Sequence, residues 1–257
     1  MFKKVLDSKP TVSHNLNVFN STEATEKGKL SRSTILETAL RLFRTRGLEQ
    51  TKMRDIAQSA GVALGAAYYY FPSKDAIVQA YYDSVHDQHG ERVRAALAHP
   101  WLSLRDRLGV AFHAKLDILA NDQKLLGAIF RYTGDPDHPL SCFGPATRAT
   151  RQNSIALFAE VLAGESLPDD LREALPVALW GLHMAMLLFF IYDRSPEQQG
   201  TRKFVDGVLD LVVSLLGFTK SPLLKPFRGK LFSLLRDVDL LPLASAALGP
   251  QPREESL

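Results

Sequence analysis

The sequence predicts an all-α protein, and three observations carry that prediction. Apolar residues recur at three- and four-residue spacing through most of the chain, the period of a helix with one buried face. No stretch alternates β-branched and polar residues for more than a few positions, so no strand is predicted. Glycine, proline and aspartate cluster between the periodic segments, as in TGDPDHPLSCFGPA (133–146), where they mark loops. At 257 residues and 46% apolar content the chain can bury a substantial core, as one large domain or two modest ones. Its net charge of +3 and pI near 8.9 permit an anionic partner without requiring one. A single cysteine, Cys142, excludes a disulfide framework and a cysteine-based metal cluster. Lys3 and Lys4 precede no continuous apolar run, so no signal peptide is read there and a cytoplasmic protein is expected.

Residues 1–30 are polar and unpatterned, and they predict a disordered leader. From Ser33 the pattern turns helical: Ile35, Leu36, Ala39, Leu40, Leu42 and Phe43 form one apolar stripe. Arg44, Arg46 and Gly47 suit the end of that helix, two cations for the dipole and a glycine for the cap.

Thr51–Lys74 (TKMRDIAQSAGVALGAAYYYFPSK) is the most specific stretch. Thr51 is placed to cap a helix, and Asp55 lies early in it, where negative charge is favourable. Ile56 and Ala57 supply inward contacts. Gly61 falls where a sharp turn needs a residue tolerant of positive φ. Ala67 and Phe71 share a face of a second short helix, and Pro72-Ser73-Lys74 ends it and starts another. Two helices of about two turns each across a glycine turn make a helix-turn-helix, a device for placing one helix in a DNA major groove.

These residues resemble the TetR family of bacterial transcriptional regulators, whose DNA-binding domain carries a pattern close to T-x-[VM]-R-D-I-A-x-x-A-G-V-x-x-G-x-x-Y-x-[YH]-F-x-[SN]-K. The matches are Thr51, Met53, Arg54, Asp55, Ile56, Ala57, Ala60, Gly61, Val62, Gly65, Tyr68, Tyr70, Phe71, Ser73 and Lys74. The resemblance implies that Thr51, Tyr68, Tyr70 and Lys74 anchor DNA phosphates, which fixes register without reading sequence. It also implies base contacts from Arg54, Ala63, Leu64, Gly65, Ala66 and Tyr69. Arg54 suits a guanine edge. Ala63, Leu64 and Ala66 stand where the family commonly has polar residues; they can pack on thymine methyl groups but donate no hydrogen bond. Successive helical residues turn by about 100°, so Tyr68, Tyr69 and Tyr70 cannot all face one way. Tyr69 is taken as the most DNA-directed. Within the leader, Lys27 and Lys29, with Arg32 just beyond it, offer a second reading as a basic arm against phosphates.

Beyond Lys74, Ala76, Ile77, Ala80, Tyr81 and Val85 predict a long fourth helix ending near His99-Pro100. His86 and His89, with Asp83 a turn back, have a spacing that metals use, but they read more simply as solvated surface side chains, and no metal is expected. Helical periodicity continues over 100–121, in a short run over 125–132, and over about 146–164. Residues 169–193 include PVALWGLHMAMLLFFIY, apolar on nearly all sides. A membrane span needs about 20 apolar residues and this run is broken by Gly181 and His183, so a helix buried all round is expected, with no membrane partner. Over 198–217, Phe204, Val208, Leu211, Val212, Leu215 and Leu216 form one stripe with charges opposite.

The expected architecture is therefore an N-terminal three-helix head over 31–77, with its helix-turn-helix at about 52–71, and a larger helical body over 78–217. A tail over 218–257 holds a possible amphipathic helix around Phe227, Leu231, Leu234, Leu235 and Val238; docking on the body is its simpler reading and membrane-surface binding the alternative. The family resemblance implies a homodimer through a four-helix bundle of the last two body helices, and a small-molecule effector bound in the body. Candidate pocket residues are Phe112, Phe130, Tyr132, Trp180, His183 and Phe189. The expected function is a repressor released from a palindromic operator by that effector, acting on double-stranded DNA without a cofactor. A DNA-binding protein with no effector is the alternative. An enzyme is disfavoured by the lack of a nucleophile elbow, a phosphate-cradling glycine loop or a Cys-His pairing.

Overall fold

A computed structural model describes residues 16–135 and 137–218, with isolated positions at 226, 230 and 233. The described residues are helical, with no strand: α1 Leu16–Arg46, α2 Met53–Ser59, α3 Leu64–Tyr70, α4 Lys74–Leu97, α5 Leu104–Leu119, α6 Gln123–Thr133, α7 Arg148–Val161, α8 Asp169–Tyr192 and α9 Gln199–Phe218. The predicted tail helix lies outside the described residues.

The first helix departs from expectation. It begins at Leu16, so residues 16–30 are helical where a disordered leader was predicted. The segment lacks proline and has one glycine, Gly28, and it extends a helix already nucleated and packed downstream. Propagation from an existing nucleus fixes one residue per hydrogen bond and needs no apolar face. At the other end Gly47 adopts φ 92° and its N–H bonds Phe43 O at 3.0 Å, the predicted cap.

In the head, Ile35, Ala39, Leu42, Phe43, Ile56, Ala57, Ala67 and Phe71 pack into one buried cluster. Gly61, at φ 67°, makes the turn between α2 and α3, and Val62 N–H closes it on Ala57 O at 3.0 Å. Ser73 caps α4 by accepting from Ala76 N at 3.1 Å.

The core continues from the head into the body without a break. Helix α4 packs on α5 and α7, α7 on α8, and α5 on α9. Ion pairs join the same elements: Arg94 of α4 with Glu160 of α7, and Arg105 of α5 with Asp206 and Asp210 of α9. Arg107 reaches the end of α7, donating to Val161 O and Ala163 O at 2.8 Å each.

One sequence expectation changes in the body. Helix α8 is not buried all round within one chain. It buries Ala174, Leu179, Trp180, His183, Met186 and Phe190, yet only 39% of its most apolar window is covered. By length and composition it could cross a membrane. Its outer face runs Ala178, Gly181, Ala185, Leu188, Phe189 and Tyr192. Similarly, α9 has two faces. Thr201, Val205 and Leu209 point inward, while Phe204, Leu211 and Leu215 of the predicted stripe are 42%, 64% and 65% exposed. The stripe expected in a bundle of the last two helices is thus exposed on this chain, while Asp206 and Asp210 pair with Arg105 on the side toward α5.

Candidate nucleic-acid interface and ligand cavity

The helix-turn-helix presents a continuous exposed surface. Arg54, Ala63, Leu64, Gly65, Tyr68 and Tyr69 are exposed, with Ala66 and Tyr70 half-buried. Tyr69 is the most open at 82%, against 48% for Tyr68. Tyr70 packs against the head core, sets its ring edge-on to Tyr69, and lies beside Gly28 of α1. The three tyrosines diverge as helical geometry requires. Arg32 lies over the Phe71 ring at 4.9 Å, which holds this one member of the suggested basic arm against the head.

Two expected anchors have structural jobs. Thr51 is fully buried, and its hydroxyl donates to Gly47 O at 2.8 Å. It does not cap α2. The chain between Gly47 and α2 folds back on itself, so the threonine satisfies that turn, and Lys52 stands at the cap position instead, its N–H held by the Asp55 carboxylate at 2.9 Å. A phosphate contact from the Thr51 side chain is therefore excluded in this conformation. Lys74 donates to Leu48 O at 2.7 Å, one of three ammonium donors, and so ties α4 to the loop before α2.

A polar chain couples head and body. Asp122, at the start of α6, is buried, and its carboxylate accepts from Arg44 of α1 through Nε and through a second nitrogen at 2.9 Å. Tyr81 of α4 donates to the same carboxylate at 2.7 Å. Asp122 stands at the N-cap position of α6, but its oxygens serve these partners and make no cap bond. At the other end of α6, the Tyr132 hydroxyl bonds Glu49 in the loop before α2.

Behind this chain lies a cavity of about 140 Å³ between α4, α5, α6, α7 and α8. Phe130, Trp180 and His183 line it as predicted. Phe112, Tyr132 and Phe189 do not. Phe112 is core, packed on Phe158 and His183. Tyr132 turns outward to stack on His138, and Phe189 stacks on Phe204 at the surface. Tyr81, Leu126, Ile129 and Leu187 complete much of the apolar wall.

His86 and His89 are buried, contrary to the surface reading, because α5 covers that side of α4. His89 Nε2 donates to Ala111 O at 2.7 Å, and burial, with Lys115 nearby, drops its pKa to about 3. His86 Nδ1 lies 3.2 Å from Ser154 Oγ. Among the described residues no group of three or more His, Cys, Asp or Glu could hold a metal ion.

Lys115 escaped notice in the sequence. It is 6% exposed and faces the cavity, and burial pushes its ammonium down to about 7. A signal was present: Lys115 stands three residues after Phe112 and four before Leu119, on the stripe read as core.

These features define a helix-turn-helix head on a helical body that encloses a cavity. Residues 35–81 match the profile described as bacterial regulatory proteins, tetR family, and residues 107–228 match the tetracyclin repressor-like C-terminal domain. The chain belongs to the TetR family. It is 42% identical over 71 residues to the HTH-type transcriptional regulator TtgR of Pseudomonas putida, a match covering 28% of this chain and 34% of that protein. The matched stretch thus spans about a third of this relative's length. Among solved structures, a TetR regulator from Nitrosomonas europaea superposes with TM-score 0.58 at 20% identity, over 70% of this chain and 96% of the other. Thermus thermophilus FadR, a TetR repressor in complex with lauroyl-CoA, superposes with TM-score 0.54 at 25% identity, over 69% and 92%.

Proposed function

We propose that this protein is a homodimeric, cytoplasmic transcriptional repressor that holds a palindromic operator through α2 and α3 of each copy and releases it when a small molecule enters the cavity. The observation that carries this reading is the hydrogen-bonded chain Tyr81–Asp122–Arg44, which connects a cavity wall to the helix bracing the DNA-binding head. A ligand that moves α4 or α6 acts on α1 through a buried carboxylate. To shift the equilibrium it must prefer one placement of the heads over the other. In this reading Arg54 takes a base edge, Tyr69 and Leu64 make apolar base contacts, and Tyr68 and Lys74 hold phosphates; the exposure of Arg54, Leu64, Tyr68 and Tyr69 supports it.

The dimer is supported by the exposed apolar faces of α8 and α9. Ala178, Gly181 and Ala185 allow close helix approach, and Leu188, Phe189, Tyr192, Phe204, Leu211 and Leu215 supply area to bury. A second copy seated there covers the outer side of α8 without a bilayer. The Thermus relative's complex with lauroyl-CoA supports an effector with an apolar part. The cavity favours an effector-responsive regulator over a plain DNA-binding protein, which needs only the head.

Footprinting on the protein's own genomic neighbourhood, repeated with candidate ligands, tests this. Protection of a palindrome that a ligand abolishes is the expected result. If no palindromic site is protected at any salt concentration, the reading fails.

A further inference from the structure

The cavity has a charge pattern that an apolar ligand alone does not explain. Two formally charged side chains line it, Lys115 and Arg151, and both are cationic; no carboxylate lines it. Lys115 makes no hydrogen bond or ion pair with any described residue, although 6% of it is exposed. Arg151 is half-buried and donates to two carbonyls, Cys142 O at 2.7 Å and Gly144 O at 3.4 Å, with no acid beside it. His183 lines the same cavity, and its Nε2 is buried without a partner. An ammonium buried without a counter-charge is costly, and chains retain such a group rarely unless something pairs with it.

We propose that the cavity binds an organic monoanion with an apolar body, its carboxylate paired with Lys115 and the body packed among Leu119, Leu126, Ile129 and Phe130. This rests on the effector reading above and names the ligand's class. A single charge is favoured because Lys115 is the one deeply buried cation of the wall, whereas Arg151 is half-buried and already donates to two carbonyls. The acyl chain of a coenzyme A thioester brings no charge to Lys115, so that ligand leaves the ammonium unpaired.

Burial sets the protonation of Lys115, and the titratable groups around it are these. His86 and His89 approach from α4, His183 from α8 and Arg151 from α7, with Cys142 on the loop before α7. Asp83 and Asp87 lie on the exposed side of α4, where Asp83 accepts from Thr150 at 2.8 Å. Burial leaves the free Lys115 with a pKa near 7. A bound carboxylate raises it, so binding takes up a proton above about pH 7 and weakens by up to about tenfold per pH unit.

The test is calorimetric titration of the full-length protein with decanoate, decanamide and decanoyl-CoA, at pH 6.5 and about pH 8.5 in buffers of different ionisation enthalpy. Decanoate is expected to bind at least about tenfold tighter than decanamide, with proton uptake at the higher pH. Lys115→Met is expected to remove that preference. Equal or tighter binding of decanamide or decanoyl-CoA, no binding of decanoate at millimolar concentration, or decanoate binding without proton uptake overturns the proposal. An intact Lys115→Met variant that keeps the preference does the same. The proton-uptake arm uses unaltered protein, so it decides even if that variant misfolds. Decanoate bound through Lys115 but unable to release operator DNA sinks the effector reading and leaves the carboxylate site standing. Release by decanoyl-CoA alone, unaffected at Lys115→Met, does the reverse.

Discussion

Asp122→Ala is the sharpest probe of the link between body and head. The Asp122 side chain is 4% exposed and its carboxylate accepts from Arg44 twice and from Tyr81 once. Removing one member of a fully buried ion pair costs about 3–5 kcal/mol. Arg44 is 40% exposed, so its guanidinium regains water and part of that loss is recovered. Tyr81, at 3% exposure, has no such recourse, and its orphaned hydroxyl costs about 1–3 kcal/mol. The net expectation is about 2–4 kcal/mol, a fall in Tm of roughly 5–15 °C for a chain of this size. Thermal denaturation followed by circular dichroism, at one fixed protein concentration, reads it. Tyr81→Phe alone should cost about 1 kcal/mol, and the double variant less than the sum, since both act through one carboxylate. A change in Tm below about 2 °C for Asp122→Ala refutes the assignment of Asp122 as a buried tie. A full stability loss with ligand-induced DNA release unchanged leaves the tie in place and removes its signalling role.

Three further outcomes are expected. Arg54→Ala weakens binding to the cognate operator by about 1–3 kcal/mol and relaxes preference at one base pair, read by fluorescence anisotropy across a base-substituted operator series. Leu211→Glu combined with Leu215→Glu places charge on the exposed α9 face and is expected to convert the proposed dimer to monomer at micromolar concentration, which sedimentation velocity reports. The third concerns pH. Folded Lys115 titrates near 7 and a free lysine at 10.5, so between those values the unfolded chain holds the extra proton and stability rises with pH. Lys115→Met is therefore more stable than the parent near neutral pH, and its advantage shrinks by up to about 1.4 kcal/mol per pH unit above about pH 7. Chemical denaturation of both proteins across that range checks the sign.

Much of this protein was legible from local pattern. The all-α class, the bounds of α2 through α9 to within a few residues, the positive φ of Gly61 and the outward Tyr69 all follow from helical period, caps and glycine sterics, which act over a few residues. The family signature at Thr51–Lys74 is equally local. What tertiary structure decided is which partner each polar side chain finds. Thr51 carries cap chemistry in sequence and spends it on Gly47 O, and Asp122, at the N-cap position of α6, binds Arg44 and Tyr81 instead. His86 and His89 look solvated until α5 is laid over them. A helical stripe announces that a face is covered without naming its cover: the α9 stripe is exposed on this chain, and only packing shows that Thr201, Val205 and Leu209 are the side held against its own core. Lys115 is the clearest case: only the convergence of α4, α5 and α8 places its charge in an apolar cavity with no acid on the wall, because burial belongs to the packed helices and to no segment alone.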